Sequence, residues 1–567
     1  MKKKKLMNKM KIAQTVLAIL FCSTSLTVFS QDSLEVDSFI IVKEFVPTLS
    51  QASKIRINPE IKDTQNIEVN TNYNFLDKQL SHDFEPEIIK AAILKGEPLV
   101  KLRNNYLILG YGNNATPIAE FYYNQLRSKN SSIGVYGRHL SSSGIHDIEN
   151  SGYSNNAVGL SGSRYSRKFT FSGKVDYRYD AVNYYGYNPD LPGINLDNAA
   201  KNENISQFFQ RIGGEVSFSN NQRDTSGVRH YSELSYHYLS DRYNTNESRF
   251  VASQELSLIH SKEILTFDWE LDYNKLSDEA SGSLTNYSKE NTILYAEPGI
   301  ELRGSKWVLE GGLKFALEFD VNTNPFLYPI VDFRYNLIKS IIVPYAGLKG
   351  GLERNSFHSF TDDNAFVSSA VELRNSDKKY VGYAGIRGNL SKNTSFNLSF
   401  SQSKINDMPL YVKDSNSVEE RNFSVLYDEV DLTEFGAELI YEPIEKWRFV
   451  LNGKYFIYSA SRELYAWHKP DYRISALTTY KLGSKIKADL LVYLIGSQKA
   501  RTSDTALVQT YKTLEGTVDL NLNLEYRYSK KINVFLDLNN LAAIKYEKWQ
   551  DYPTQGFSVL GGFKFSF

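Results

Sequence analysis

The sequence predicts an all-β protein, a transmembrane antiparallel β-barrel of about 22 strands with a short N-terminal periplasmic or lumenal segment. Three observations carry this prediction. The chain begins with an export signal, many later stretches alternate apolar with polar residues, and the connections between these stretches alternate in length. We therefore divide the chain into a signal peptide (1–30), an N-terminal segment (31–101) and a barrel (102–567).

The first thirty residues have the composition of an export signal. A head rich in lysine precedes the apolar stretch Ile12 to Phe21, which is too short to span a bilayer, and Val28 and Ser30 occupy the positions that a signal peptidase reads. The only cysteine, Cys22, follows bulky Phe21, which disfavours the alternative of a lipoprotein signal. Because cleavage after Ser30 removes Cys22, the mature chain is expected to lack disulfides and thiolate chemistry.

Charge and composition narrow the class of protein further. The chain has 65 basic and 65 acidic residues, and six of the lysines lie in the signal, so the mature protein is acidic by six charges. Binding to nucleic acid needs a basic surface, and this balance predicts no nucleic-acid partner. Aromatic residues make up 13% of the chain, with 39 Tyr and 32 Phe, which favours a large barrel over several ordinary domains.

Strict alternation of side chains is the main signal for strands. After the signal peptide no apolar run approaches the roughly 20 residues of a transmembrane helix, which leaves a closed barrel as the way to cross a membrane. The stretch from Leu265 to Asn274 has one wholly apolar and one wholly polar face, a spacing that a helix cannot use. Similar stretches run from Phe169 to Asp180 and from Val518 to Arg527.

The connections between these stretches indicate where the chain turns. Short turns with a basic residue are predicted at every second connection, and long polar loops are predicted between them. A barrel with short periplasmic turns and long external loops would produce this alternation, with both termini on the periplasmic side. The predicted turns include 128–130, 166–168, 261–262, 304–306, 391–393, 483–485 and 529–531, and the predicted loops include 183–204, 353–378, 404–433 and 497–509.

The C-terminal end carries a more specific signal. Phe563, Phe565 and Phe567 share one face of the last predicted strand, and this pattern resembles the assembly signal that outer-membrane barrels present to the barrel-insertion machinery. The run Asn533 to Leu541, together with Gly556 to Phe567, resembles the last hairpin of TonB-dependent receptors. That resemblance implies a 22-stranded barrel in the outer membrane.

The N-terminal segment departs from the pattern of these receptors. They carry a plug domain that fills the barrel, and residues 31–101 are too few for a full-length plug. Within this segment Asp37, Ser38, Phe39, Ile40, Ile41 and Val42 resemble the short box that receptors offer to the energising TonB protein by strand addition. The alternative is an ordinary β segment.

Candidate site residues are few. The sequence contains none of the common catalytic, metal-binding or phosphate-binding motifs, so we predict neither an enzyme nor a cofactor. The ladder Asp268, Glu270 and Asp272 fits a solvated barrel interior better than a cation-selective stripe.

Aromatic residues fall into two groups. Tyr184, Tyr185 and Tyr187 lie in a long predicted loop, and they are the best candidates for contacting a ligand or partner. We expect the aromatic residues near strand ends to form girdles at the membrane interfaces. These girdle candidates are Trp447, Tyr455, Tyr458 and Trp549.

Two functions follow from this sequence. The first is transport of a solute by a receptor-like barrel or channel in the outer membrane. The second is a non-conducting barrel that anchors or assembles surface lipoproteins or a larger outer-membrane complex. Expected partners are outer-membrane lipid and the insertion machinery, with TonB or surface lipoproteins depending on which function holds.

Overall fold

A computed structural model describes residues 102–567 except 127, 190, 192–194, 196–198, 200–204, 221–226, 261–262, 279–286, 339–340 and 506–507. The predicted signal peptide (1–30), the N-terminal segment (31–101) and the TonB-box-like run Asp37 to Val42 lie outside the described residues. The predicted turn at 261–262 also lies outside them.

The described residues form 26 strands and two short helices. The strands are β1 (Asn105–Gly112), β2 (Thr116–Asn124), β3 (Ser131–Ser142), β4 (Tyr153–Tyr165), β5 (Phe169–Asn183), β6 (Ser206–Asn220), β7 (Val228–Asp241), β8 (Thr245–His260), β9 (Glu263–Asp278), β10 (Tyr287–Arg303), β11 (Trp307–Phe319), β12 (Thr323–Tyr335), β13 (Val343–Glu353), β14 (Ser376–Ser391), β15 (Thr394–Lys413), β16 (Phe423–Ile444), β17 (Trp447–Ala460), β18 (Tyr472–Leu482), β19 (Ile486–Ile495), β20 (Gln498–Thr505), β21 (Val508–Leu514), β22 (Thr517–Arg527), β23 (Ile532–Asn539), β24 (Glu547–Trp549), β25 (Tyr552–Pro553) and β26 (Ser558–Ser566). The helices are α1 (Phe357–Asp363) and a 3₁₀ turn (Val418–Glu420). No helix among these described residues is long and apolar enough to cross a membrane.

Twenty-two of the described strands form one closed antiparallel sheet, as the sequence predicts. Strand β1 pairs with β2 on one side and with β26 on the other, so the sheet has no free edge. At this seam Leu109 lies opposite Phe563, and the backbone amides of Asn105 and Phe567 each donate to the other's carbonyl at 3.1 Å. Closure gives every barrel strand a hydrogen-bonded neighbour on both sides, as a lipid environment requires.

The alternation of side chains becomes an outer and an inner face. On β9, Leu265 and Phe267 are exposed on the outside, whereas Asp272 and Asn274 are buried on the inside. Phe563 on β26 and Phe567, which follows this strand, are also exposed on the outside. Many large apolar side chains are exposed on the outer face, as contact with a bilayer requires, whereas buried charged and amide side chains lie on the inner face.

Short turns and loops lie at opposite ends of the barrel, which we call the turn end and the loop end. The turns at 128–130, 166–168, 304–306, 391–393, 483–485 and 529–531 lie at the turn end, as predicted. By the architecture of such barrels this end is periplasmic, and Asn105 and Phe567 lie there as predicted.

Strict alternation of short and long connections is not observed. Three loop-end connections have only three residues, at 113–115, 242–244 and 320–322. The predicted loop at 404–433 shrinks to 414–422, because β15 and β16 continue for 20 and 22 residues and pair beyond the length that a membrane needs. The predicted loop at 497–509 is largely the hairpin of β20 and β21.

Of the four predicted girdle residues, two lie on the outer face of the barrel, and two do not. Trp447 stacks on Phe449 at the turn end, and Tyr455 is 49% exposed on the outer face. Tyr458 is on the inner face, because it lies three residues from Tyr455 on the same strand. Trp549 is buried inside the loop end, where apolar packing replaces the expected membrane contact.

Candidate functional site: a cap at the loop end

One loop folds into the barrel instead of away from it. Residues 354–375, which we call the cap, connect β13 to β14 and contain α1. Ser356 caps the N-terminus of α1. Its side chain accepts from the Ser359 amide at 3.0 Å, and the Ser359 side chain accepts from the Ser356 amide at 3.0 Å. Phe357 and Phe360 are buried, so this short helix presents an apolar side to the barrel interior.

The cap contacts two walls of the barrel that lie far apart in the ring of strands. Phe357 and its neighbours pack against side chains of β6, β7 and β9 on one wall and of β15 and β16 on the other. The wall residues of this cluster are Phe209, Leu239, Leu276, Tyr411, Phe423 and Tyr427. Because the cap reaches both walls, it lies across the loop end of the barrel.

Buried carboxylates on the first wall hold the start of the cap. The Glu247 carboxylate, which is 2% exposed, accepts from the backbone amides of Phe357 at 2.9 Å and His358 at 2.8 Å. It also accepts from the Asn274 side chain at 2.9 Å. Glu247 therefore supplies acceptors to amides that have no partner within the helix.

One of the three acidic residues predicted to line the interior on β9, Asp272, has a different role from the one expected. Asp272 accepts from Arg354 of the cap at 2.6 Å and from Arg249 of the wall at 2.9 Å, and it is almost completely buried. The interior is therefore not simply solvated at this position, since two arginines neutralise the carboxylate. Asp272 joins the cap to the wall.

Further ion pairs and hydrogen bonds continue along the same wall. Arg211 bonds Asp180 at 2.5 Å and Thr361 of the cap at 2.9 Å. Asp362 of the cap accepts from Arg178 at 2.7 Å. Polar groups of the wall thus contact α1 at both of its ends.

Backbone pairing attaches the cap to the second wall. Val367 forms a parallel β-bridge with Phe423 of β16, in which the Ser368 amide donates to the Phe423 carbonyl at 2.7 Å. The Phe423 amide donates to the Phe366 carbonyl at 3.0 Å. Nearby, the Tyr427 hydroxyl donates to the Glu372 carbonyl at 2.7 Å.

The fit between cap and wall is close. Between them lies a cavity of about 10 Å³, lined by polar side chains that include Asn274, Asn291, Arg354 and Asn375. This volume is that of roughly a single water molecule. The closed cap therefore leaves little space along this part of the wall.

The tyrosines that the sequence singled out lie in or beside this cluster. Tyr184 is buried, and its hydroxyl lies 3.3 Å from the Val367 carbonyl, to which it donates. The Tyr185 ring packs against Tyr552 with centroids 4.9 Å apart, and Arg421 lies over the Tyr187 ring at 5.3 Å. Their role as contacts for a ligand or partner remains a prediction.

The loop 461–471 contains a buried histidine, His468, which lies next to the apolar residues that pack against the cap. The Nδ1 atom of His468 lies 2.9 Å from the Tyr411 carbonyl, and the ring packs against Phe423 and Trp549. Burial lowers the pKa of the His468 imidazole to about 4. His468 is therefore neutral near pH 7, with Nδ1 protonated and donating to the carbonyl.

The cap was not predicted from the sequence, although residues 357–373 contain a signal for it. Phe357, Phe360, Val367, Val371 and Leu373 lie within 17 residues of a predicted polar loop. So many large apolar side chains in one loop indicate a segment that packs against another surface. The charged wall partners carry no comparable signal, because any barrel interior contains such residues.

The fold defines a class of protein, the 22-stranded outer-membrane β-barrels. A closed sheet, an apolar outer face, a polar inner face and loops gathered at one end are the features of this class.

Among solved structures the chain is similar to outer-membrane receptors and transporters. A mutant of the ferric enterobactin receptor from Pseudomonas aeruginosa matches at a TM-score of 0.62 and 13% identity, over 82% of this chain and 80% of that one. The siderophore receptor PirA from Acinetobacter baumannii matches at 0.63 and 12%, over 83% and 81%. The copper transporter OprC matches at 0.63 and 13%, over 82% of each chain.

At this level of identity the likeness concerns the fold. No family model and no curated protein matches the sequence. The similarity in fold extends beyond the last hairpin to most of the barrel, since the matches cover 82–83% of this chain.

Proposed function

We propose that this chain is a receptor-type transporter of the outer membrane, in which the cap closes the loop end and moves aside to admit a solute. The observation that carries this proposal is the attachment of one loop to two distant walls of the barrel. The likeness of the fold to siderophore and copper receptors supports it.

The chemistry of the cap's attachment favours a segment that moves. Bonding to the first wall relies on the buried Glu247 carboxylate, which accepts from two cap amides, and on the ion pairs of Arg354 with Asp272 and of Asp362 with Arg178. The desolvation of the buried carboxylates Glu247 and Asp272 offsets much of what these contacts contribute. When the cap leaves, water can replace these partners. The apolar contacts of Phe357 and Phe360 have no such replacement, so they keep the cap closed at rest.

An input of free energy is therefore needed for opening. A solute that binds the open form better than the closed form would shift the equilibrium by its difference in affinity. Coupling to TonB through Asp37 to Val42 would be a second source, and we retain it as part of the proposal. Insertion of the barrel through a signal that includes Phe563, Phe565 and Phe567 is likewise proposed.

Conductance in planar bilayers tests the proposal. We expect the full mature chain to pass little current in KCl, and Glu247→Ala/Arg354→Ala to show frequent openings, because this variant removes the polar contacts that hold the start of the cap to the first wall. Arg249→Ala is the matched control, since Arg249 binds the same Asp272 but belongs to the wall. It should behave like the unmutated chain.

The same preparation distinguishes the anchoring function. A double variant that remains silent while the protein copurifies from mild detergent with a stoichiometric lipoprotein would contradict transport. It would support a barrel that anchors or assembles surface proteins.

A further inference from the structure

Basic residues gather at the turn end of the barrel. The described turns carry nine basic residues and one acidic residue, Glu445. The basic residues are Lys129, Arg167, Lys168, Lys306, Lys392, Lys446, Lys485, Lys530 and Lys531. The described connections at the loop end have the opposite balance, with more acidic than basic residues.

These nine cations, which we call the basic ring, are free to contact an external partner. All nine are exposed, and none has an acidic partner within the part of the chain that the structure describes. The turns that carry them follow β2, β4, β10, β14, β16, β18 and β22, so they are distributed around most of the sheet. A partner that contacts all of them must surround the barrel.

The depth of the basic ring is fixed by its aromatic neighbours. Lys306 precedes Trp307, and Lys446 precedes Trp447, whose ring centroid lies 4.4 Å from that of Tyr480. Trp307 is 37% exposed on the outer face. Tryptophan and tyrosine on the lipid side of a barrel lie at the level of the headgroups. The basic ring therefore lies at or just beyond the headgroups of the leaflet at the turn end.

We propose that the basic ring binds the anionic headgroups of phospholipids in the periplasmic leaflet. A leaflet surrounds the barrel on all sides, as the spacing of the cations requires, and phosphate groups complement their charge. Long lysine and arginine side chains can extend from the rim of the barrel to the headgroups. This inference depends on the membrane orientation of the barrel and not on transport.

Quenching of tryptophan fluorescence by brominated lipid provides the test. Trp307 and Trp447 lie on the outer face near the basic ring, whereas Trp467 and Trp549 are buried at the loop end and serve as an unquenched reference. Trp269→Phe removes the remaining outer tryptophan. In this background we expect brominated phosphatidylglycerol to quench more than brominated phosphatidylcholine at equal mole fraction, with a several-fold preference.

Two comparisons assign this preference to the basic ring. The preference should disappear at about 1 M salt, where charges are screened beyond about 3 Å. It should also disappear when all nine cations are replaced by glutamine, and persist in the loop-end control Arg242→Gln/Lys545→Gln/Lys548→Gln. If the variant with nine substitutions does not insert, the salt dependence of the lipid preference in the unmutated protein tests the proposal.

Three results would overturn the proposal. The first is equal quenching by the two lipids, and the second is a preference that survives salt or neutralisation of the basic ring. The third is absence of lipid preference combined with cosedimentation with peptidoglycan that depends on the nine cations, which would assign the basic ring to the cell wall.

Discussion

Removing Arg354 should loosen the cap without unfolding the barrel. Its guanidinium donates to the Asp272 carboxylate at 2.6 Å and to the Asp272 carbonyl at 2.9 Å, and both side chains are at most 4% exposed. Hydrogen bonds to buried charges contribute about 1.5–3 kcal/mol each. Since Asp272 keeps Arg249 as a partner, we expect Arg354→Ala to cost about 2–3 kcal/mol, below the loss for an unpaired buried charge.

Hydrogen exchange measures this cost directly. In the Arg354→Ala protein, amides of residues 356–375 should exchange about 30- to 150-fold faster, because each 1.4 kcal/mol changes the opening equilibrium tenfold. Arg249→Ala removes the other partner of Asp272 and leaves Arg354 attached, so its cap should exchange at close to the original rate. Equal acceleration in the two variants, or none in Arg354→Ala, would refute the role of Arg354 as the link between cap and wall.

Three further predictions concern other parts of the chain. Trp269→Lys should destabilise the inserted barrel by roughly 2–4 kcal/mol and so lower the yield of heat-modifiable, folded protein, whereas Asp268→Lys on the inner face should be tolerated. Equal effects of the two substitutions would mean that the two faces are misassigned. The neutral His468 side chain stabilises the loop end fully above pH 6.5, and this contribution, at most about 3 kcal/mol, is lost as the pH falls toward 4. Hydrogen exchange of residues 461–471, corrected for intrinsic rates, should therefore accelerate over that range. His468→Gln should abolish this pH dependence. In the N-terminal segment, Ile40→Pro should abolish a cross-link to TonB without changing the amount of folded barrel, whereas Ile40→Val should leave the cross-link intact. If the unmutated chain gives no cross-link, coupling of the barrel to TonB is rejected.

Much of the fold could be predicted because a barrel imposes a strict pattern on its sequence. Alternation such as that of Leu265, Phe267 and Asp268 reports directly which face meets lipid and which meets the interior. The strand count could be obtained for the same reason. The pattern does not report where a strand stops, because pairing can continue beyond the membrane, as in β15 and β16.

The cap could not be predicted from this pattern. Its attachment joins residues far apart in sequence, such as Asp272 with Arg354 and Val367 with Phe423. Periodicity describes one strand at a time and contains no information about such contacts. The environment of Trp549 could not be predicted for a similar reason, since an aromatic residue near a strand end fits either a membrane interface or a buried cluster.

The most direct test of the proposed function is to lock and release the cap in one preparation. Val367 and Phe423 are bridge partners, and adjacent strands lie about 4.8 Å apart, within reach of a disulfide. In the Glu247→Ala/Arg354→Ala background, Val367→Cys/Phe423→Cys should be silent when oxidised and should conduct after a reductant is added to the same bilayer. Val367→Cys alone should conduct in both conditions. Equal current before and after reduction of a confirmed disulfide would contradict the claim that the cap closes the barrel.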